Sequence, residues 1–350
     1  MKVVLDISPL KTAHKARGIG VYTSQLSQAL KKVDQTNHYI LTSRPRDIKG
    51  VDLVHYPYFD LFFRSLPLKK TTPIVVTIHD VIPLIFPHHF RPGLRGKISF
   101  YFQRLSLNQV EAIITDSNNS KTDIINYLNI PSAKIHVIPL AAASAFSRPL
   151  SSNQLQKIKS KYHLPDKYLL YVGDINYHKN LPRLIQAFKL TLANYPQLTL
   201  VLVSRALSQP IPEAKAIKTL IVELKLESQV KILTTVPLDP VNHLNGLYKL
   251  SHAYIHPSLY EGFGLPVLEA MTVGTPVVCS SSASLPEVYG SAAISVNPNR
   301  VDSISTGLKT VLELTEPERK NLIKKGKAQA AKFSWEQTAR QTISVYEAII

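Results

Sequence analysis

Glu261 and Glu269 are the residues of this sequence best placed for chemistry, because they bracket a glycine-bearing loop in the string HPSLYEGFGLPVLEA at 256–270. Gly262 and Gly264 let the backbone bend without a Cβ clash, and Pro266, with φ preset and no N–H, suits the start of a helix. This spacing predicts Glu261 in the loop and Glu269 in the first turn of the helix that follows. A loop ending on unpaired helix amides favours a phosphate beside it, through N–H donors and the positive end of the helix dipole. The two acids accept hydrogen bonds from hydroxyl groups. An anion cradle beside hydroxyl acceptors describes a site for a sugar nucleotide. A bare pair of glutamates would carry no such meaning, since exposed helices hold such pairs as solvated charge.

The ordered match is much longer than a pair. Pro257, Ser258, Glu261, Gly262, Phe263, Gly264, Leu265, Pro266, Glu269, Ala270 and Met271, continuing through GTPVVCS at 274–280 and LPEVYG at 285–290, resemble the signature of the retaining family-4 glycosyltransferases. That resemblance implies the GT-B fold, an α/β architecture of two doubly wound Rossmann-like parallel-sheet domains facing each other across a cleft. It implies that Glu261 accepts from sugar hydroxyls and Glu269 from the ribose, while the backbone of Gly262, Phe263, Gly264 and Leu265 positions sugar and phosphate. Glu287, in the same string, reads as a structural acid.

A second segment, YVGDINYHKNLPRLIQAF at 171–188, ends a strand at Gly173 and opens a helix at Asn180, a good capping residue followed by Pro182. Leu181, Leu184, Ile185 and Phe188 recur at the spacing of a buried helix face. Lys179 therefore stands at the carboxyl end of a parallel strand, where open α/β sheets bind ligands. A lysine at this point contacts the donor diphosphate in the family, and Gly173, Lys179 and Asn180 match it; an exposed surface lysine is the competing reading. Many members carry an arginine directly after the glycine. Here that residue is Asp174, which leaves Arg205 and His178 as candidates for a second cation.

His79 and Asp80 close the run PIVVTIHD, and similar proteins have a histidine at this strand end facing the donor sugar. An imidazole there donates a hydrogen bond to the donor or holds it at the reacting centre; a histidine satisfied within a loop is the alternative. Gly18 and Gly20 of GIGVY resemble the family's GIG-Tyr loop, which lies near the donor phosphates and the acceptor. By themselves they lack a full dinucleotide fingerprint, and turn glycines before a helix compete. Lys11, Lys15 and Arg17 beside them suit the steering of an anionic acceptor, or simple solvation.

These residues must be positioned by a regular frame. KVVLDI, HYILT, LVHY, IVVTIHD, AIITDS and IHVIPL in the first half, and YLLYVG, TLVLVS, VKILT, AYIHPS, PVVCS and AAISV in the second, alternate with helix-period segments. That alternation predicts parallel sheets covered by helices on both faces. A chain of 350 residues exceeds the usual size of one core. The expected domains are 1–150 and 151–333, with the seam inside 141–165, where strand character is lost and no acid occurs. By resemblance the first takes the acceptor, the second takes the nucleotide sugar, and a helix over about 334–350 crosses back to the first.

The net charge of +17 points to anionic partners. No acid occurs between Asp80 and Glu111, whereas Arg91, Arg95, Lys97 and Arg104 stand among Phe86, Phe90, Phe100, Tyr101 and Phe102. The interval 84–107 thus suits an anionic membrane surface, with a solvated basic face over core-facing aromatics as the equal alternative. No nucleic-acid-binding motif is present. The start MKVVLDISPL is a strand rather than a signal peptide and no apolar run is long enough to span a bilayer, so a cytoplasmic protein, peripheral on the inner face of the membrane, is expected. The single cysteine, Cys279, follows an apolar run and reads as a packed thiol. The histidines show no metal spacing and Asp-x-Asp is absent, so neither metal nor cofactor is expected, and the nucleoside diphosphate sugar is a co-substrate.

With the resemblance, these residues imply a metal-independent retaining hexosyltransferase acting on a glycan or lipid-linked acceptor in cell-envelope polysaccharide or glycolipid synthesis. Mannose is the family-weighted donor sugar. A nucleotide-sugar epimerase or hydrolase, and a non-catalytic sugar-nucleotide-binding module, stay open as alternatives, the latter because of Asp174.

Overall fold

Each aliphatic run expected as a strand forms one. In the computed structural model, which describes residues 1–12, 18–236 and 243–350, the first half of the chain builds β1 (Lys2–Asp6), β2 (His38–Thr42), β3 (Leu53–Tyr56), β4 (Ile74–Thr77), β5 (Ala112–Thr115) and β6 (Ile135–Val137). These pair in parallel in the order β2-β1-β3-β4-β5-β6. Every residue of β3, β4 and β5 is buried, as parallel strands covered on both faces require. The helices of this half are α1 (Gly18–Val33), α2 (Ile82–Ile85), α3 (Leu94–Leu107) and α4 (Asn118–Leu128).

The second sheet contains β7 (Tyr168–Val172), β8 (Thr199–Val203), β9 (Val230–Leu233), β10 (Ala253–His256), β11 (Val277–Ser280) and β12 (Ile294–Val296) in the order β12-β11-β10-β7-β8-β9, again all parallel. Its helices are α5 (Ser152–Lys161), α6 (Leu181–Leu192), α7 (Pro212–Glu223), α8 (His243–Leu250), α9 (Leu265–Val273), α10 (Leu285–Tyr289), α11 (Val301–Glu313) and α12 (Glu316–Ala330). The expected buried stripe of α6 is observed: Leu181, Leu184, Ile185 and Phe188 all lie in the core. Cys279 is likewise fully buried.

Two compact units result, Met1–Ala141 with Phe333–Ile350, and Ala142–Lys332. The division falls at 141/142 rather than at 150. The turn Ser144–Ser147 packs on α9, α5 packs on α8, and Asn245 Nδ2 donates to the carbonyls of Ala145 at 3.2 Å and Arg148 at 3.1 Å. The last helix, α13 (Trp335–Glu347), packs on α1 in the first unit. Its Tyr346 hydroxyl lies 2.6 Å from His55 Nδ1, and His55 Nε2 lies 2.8 Å from Thr77 Oγ1. Thr77 in turn meets the Tyr22 hydroxyl of α1 at 2.9 Å. Burial holds His55 down to about 3, so this chain of hydrogen bonds is built from neutral groups.

Candidate active site

The order of the second sheet reverses between β7 and β10. From β7 the chain winds outward to β8 and β9, then returns to lay β10, β11 and β12 on the other side. Open α/β sheets bind ligands outside the carboxyl ends of the strands at such a switch point, because the two following loops diverge there. Lys179 follows β7 and Glu261 follows β10. Since β7 and β10 are neighbours in register (Ala253 opposite Leu169, Tyr254 opposite Leu170), their loops meet.

The loop after β7 leaves the sheet at Gly173, where an added Cβ would stand 2.8 Å from the Tyr171 hydroxyl. That hydroxyl donates to the Asp174 carbonyl at 2.5 Å. The short turn Tyr177–Lys179 follows. Asn180 then adopts a left-handed conformation, φ 60°, and it does not cap α6 with its side chain as the sequence suggested. Instead its Nδ2 donates to the carbonyls of Pro257 (2.9 Å) and Pro298 (2.7 Å), tying this loop to the one after β10. The Leu259 N–H donates to the His178 carbonyl at 2.7 Å and fastens the same two loops.

The loop after β10 turns into α9 through Gly264, at φ 118°. An L side chain there would be strained, and its Cβ would stand 2.7 Å from Leu285 Cδ2. Ser284 Oγ lies 2.9 Å from the carbonyls of both Glu261 and Phe263, which holds the turn. Gly262, Phe263 and Gly264 are buried, and Leu265 opens the helix.

Lys179 and Glu261 come together. The Lys179 ammonium donates to Glu261 Oε1 at 2.8 Å and Oε2 at 2.9 Å. The two side chains are only 17% and 10% exposed. Burial by itself would raise the Glu261 carboxyl, but the Lys179 charge and the His256 hydrogen bond hold it well below the usual range. Each ion therefore neutralises the other inside the protein. His256, passed over in the sequence, stands beneath this pair, Nε2 being 3.0 Å from Glu261 Oε1 and Nδ1 2.7 Å from the Tyr254 hydroxyl. A signal existed: the alternation of a strand puts Tyr254 and His256 on one face.

Glu269 departs from the expectation. The first turn of α9 holds no acid, and Glu269 lies one turn further in. Its Oε2 accepts from the Tyr248 hydroxyl of α8 at 3.0 Å. Burial pushes this carboxyl up to about 7 against the opposing effect of Tyr248. The carboxyls of the two glutamates of the motif are thus shifted in opposite directions. His178 fails as a second cation, because burial and the neighbouring Lys179 lower it to about 4 and leave it neutral. Arg205 is exposed at the start of the turn after β8.

In the first unit, His79 follows β4 and Asp116 follows β5. His79 Nδ1 lies 2.7 Å from Asp116 Oδ2, and Asp116 is another residue that the sequence reading missed. Burial would lower the imidazole, yet the Asp116 charge outweighs it and raises His79 above the ordinary histidine value. The Tyr22 ring meets the His79 ring edge to face, centroids 4.7 Å apart. Gly18 and Gly20 belong to α1 rather than to a loop. Among the described residues, a Cβ at Gly18 would meet nothing within 4 Å. Lys15 and Arg17 lie outside the described residues. Among those described, no group of three His, Cys, Asp or Glu is arranged to hold a metal ion.

Comparison with known proteins bears on the whole chain. Residues 153–329 match the family model described as glycosyl transferases group 1, and residues 38–142 match that of glycosyltransferase family 4. The chain is 31% identical over 370 residues to the O-antigen chain mannosyltransferase B of Escherichia coli, covering 99% of this chain and 92% of that protein. It is 30% identical over 253 residues to the O-antigen chain mannosyltransferase RfbU of Salmonella typhimurium, covering 72% of this chain and 64% of the relative. In fold it superposes on Anabaena HepE, solved in complex with UDP-glucose, with a TM-score of 0.77 at 18% identity over 99% of both chains.

Proposed function

The chain belongs to the glycosyl transferases group 1, a glycosyltransferase of GT-B fold, and from that premise we propose that it moves mannose from a nucleoside diphosphate sugar onto a growing glycan. The acceptor is a glycan or lipid-linked saccharide of O-antigen type, and the anomeric configuration is retained. The mannosyltransferases among its relatives support the sugar and the pathway class. The observation that carries the reading is the buried Lys179–Glu261 pair at the switch point between β7 and β10.

In this reading the second unit holds the donor. Glu261 accepts from a hydroxyl of the sugar, Glu269 from the ribose, and the amino end of α9 faces the diphosphate. As the glycosidic bond loosens, negative charge grows on the diphosphate. The third N–H of the Lys179 ammonium, not needed by Glu261, is available to it and takes the part a metal ion would otherwise play. His79, fixed through Nδ1 by Asp116, presents its Nε2 to the donor sugar. The acceptor hydroxyl attacks from the leaving-group side and passes its proton to the departing phosphate, so no protein nucleophile is needed.

A membrane surface completes the proposal. No helix among the described residues is long and apolar enough to cross a membrane. In α3, however, Leu94, Ile98, Tyr101 and Leu105 recur at helical spacing and are exposed, from 41% to 75%. Phe100, expected among the membrane-facing aromatics, packs instead against the core. Arg91, Arg95, Lys97 and Arg104 are exposed around the stripe, a combination suited to anionic lipid.

The experiment is a thermal-shift panel of nucleoside diphosphates and their sugars, followed by transfer from the stabilising donor to a mannose-terminated acceptor. A ligand that binds only the native state raises its apparent stability with concentration. GDP-mannose is expected to stabilise and to be consumed only with acceptor present. Consumption at equal rate without acceptor would make the protein a hydrolase or epimerase instead.

A further inference from the structure

Building on the assignment of Glu261 to a donor hydroxyl, we propose that His256 is a positioning residue: with Lys179 it saturates Glu261 Oε1 and leaves Oε2 as the one atom of that carboxylate offered to the sugar. A carboxylate oxygen has two lone pairs. Oε1 accepts from Lys179 Nζ at 2.8 Å and from His256 Nε2 at 3.0 Å. Oε2 accepts only from Lys179 among the described residues, at 2.9 Å, and one lone pair stays open.

The ring hydrogen must be on Nε2 for this bond to form, and the surroundings put it there. Tyr254 offers its hydroxyl to Nδ1 at 2.7 Å, a much better distance than the 3.3 Å to its other acceptor, the Val172 carbonyl. Nδ1 accepts, so Nε2 carries the proton and donates to the carboxylate. Ser258 Oγ, 3.3 Å from Nε2, is the weaker neighbour. The His256 side chain is 1% exposed, so no water competes for either nitrogen. Tyr254 and His256 stand on β10, which is paired on both sides by β7 and β11. A strand in mid-sheet is held by ladders on both sides, and a site built on such an element keeps its geometry. Lys179 belongs to a loop and shares itself with the ligand; His256 has no such second task.

The test is a double-mutant cycle on donor kinetics, using wild type, His256→Asn, Glu261→Gln and the double variant. A hydrogen bond to a buried charge supports about a tenfold or greater loss of kcat/KM in H256N, and the loss should shrink to about twofold or less in the E261Q background. An equal loss in both backgrounds makes His256 a packing residue and overturns the proposal. Tyr254→Phe, which removes one oxygen, serves if H256N does not fold. It should show a smaller loss that also vanishes with E261Q, and an equal loss in both backgrounds again overturns the idea. Monodeoxy donors complete the test: Glu261→Gln should abolish sensitivity to the deletion of one hydroxyl only, and abolished sensitivity to two would mean that both oxygens serve the sugar. E261Q with wild-type kinetics would instead refute the donor assignment itself, a result distinct from either outcome of the cycle.

Discussion

Glu269 makes the energetics of the site measurable. Its carboxyl, against Tyr248, titrates at about 7 rather than the ordinary 4.5. A carboxyl raised on folding means that the native protein binds a proton more tightly than the unfolded chain through that window. Stability is therefore full below about 4.5, falls as pH rises toward about 7, and stays reduced above it. The gap corresponds to roughly 3 kcal/mol, and the partial exposure of Glu269 lowers a working figure to about 2 kcal/mol. Glu269→Gln keeps an acceptor for Tyr248 and removes the ionisation. At pH 8.5 the variant should be about 2 kcal/mol more stable than wild type, a rise of roughly 4–8 °C in the melting temperature of a domain this size. At pH 4 the two proteins should melt nearly together. Scanning calorimetry of both across pH 4–9 reads the difference, and a gap between them that does not change with pH would refute the enclosed, proton-binding carboxyl. The functional counterpart has the opposite sign. A ribose hydroxyl prefers the ionised acceptor, so donor affinity of the wild type should tighten from pH 6 to pH 8 while that of E269Q stays flat.

Lys179→Ala should lower kcat by about 100-fold or more, taking a well-placed donor at about 3 kcal/mol. It should also destabilise the second unit by about 3–5 kcal/mol, because Glu261 would remain buried with only His256 beside it, so activity is to be read against a thermal-melt control. Glu261→Ala, which removes the acceptor proposed for a donor hydroxyl, should raise donor KM and lower kcat, checked by initial rates of radiolabel transfer. Transfer should survive EDTA at millimolar concentration, and recovery only on adding a divalent ion would contradict the role given to the Lys179 ammonium. Flotation with vesicles rich in anionic lipid should be strong for the wild type and weak for a variant neutralised at Arg91, Arg95, Lys97 and Arg104; equal flotation would remove the membrane reading.

The strands were legible because parallel strands buried on both faces read as unbroken apolar runs, and every such run became a strand of one of the two sheets. Local conformation near glycine was legible in part. Gly264 does adopt the left-handed turn its position demanded, at φ 118°, whereas Gly18 and Gly20 sit in α1 rather than in a loop. Glycine suits a turn better than a helix, but the difference of about 1 kcal/mol is small enough for packing to override.

What the sequence could not show is which polar groups face each other after burial. Asn180 precedes a helix and has the right chemistry for a cap, yet its side chain is drawn to the carbonyls of Pro257 and Pro298, far away along the chain. Glu261 and Glu269 look equivalent as letters, but at the first an ammonium and a histidine overcome burial while at the second burial prevails over a phenol, so the two carboxyls are shifted in opposite directions. The ammonium arrives from 82 residues earlier, through the single fact that β10 lies beside β7. Helix and strand periods report which face of an element is buried; only sheet order decides which loops become neighbours. The motif at 256–270 consequently identifies half of a site, and its charge balance, its proton positions and its response to pH come from the strand that the topology lays next to it.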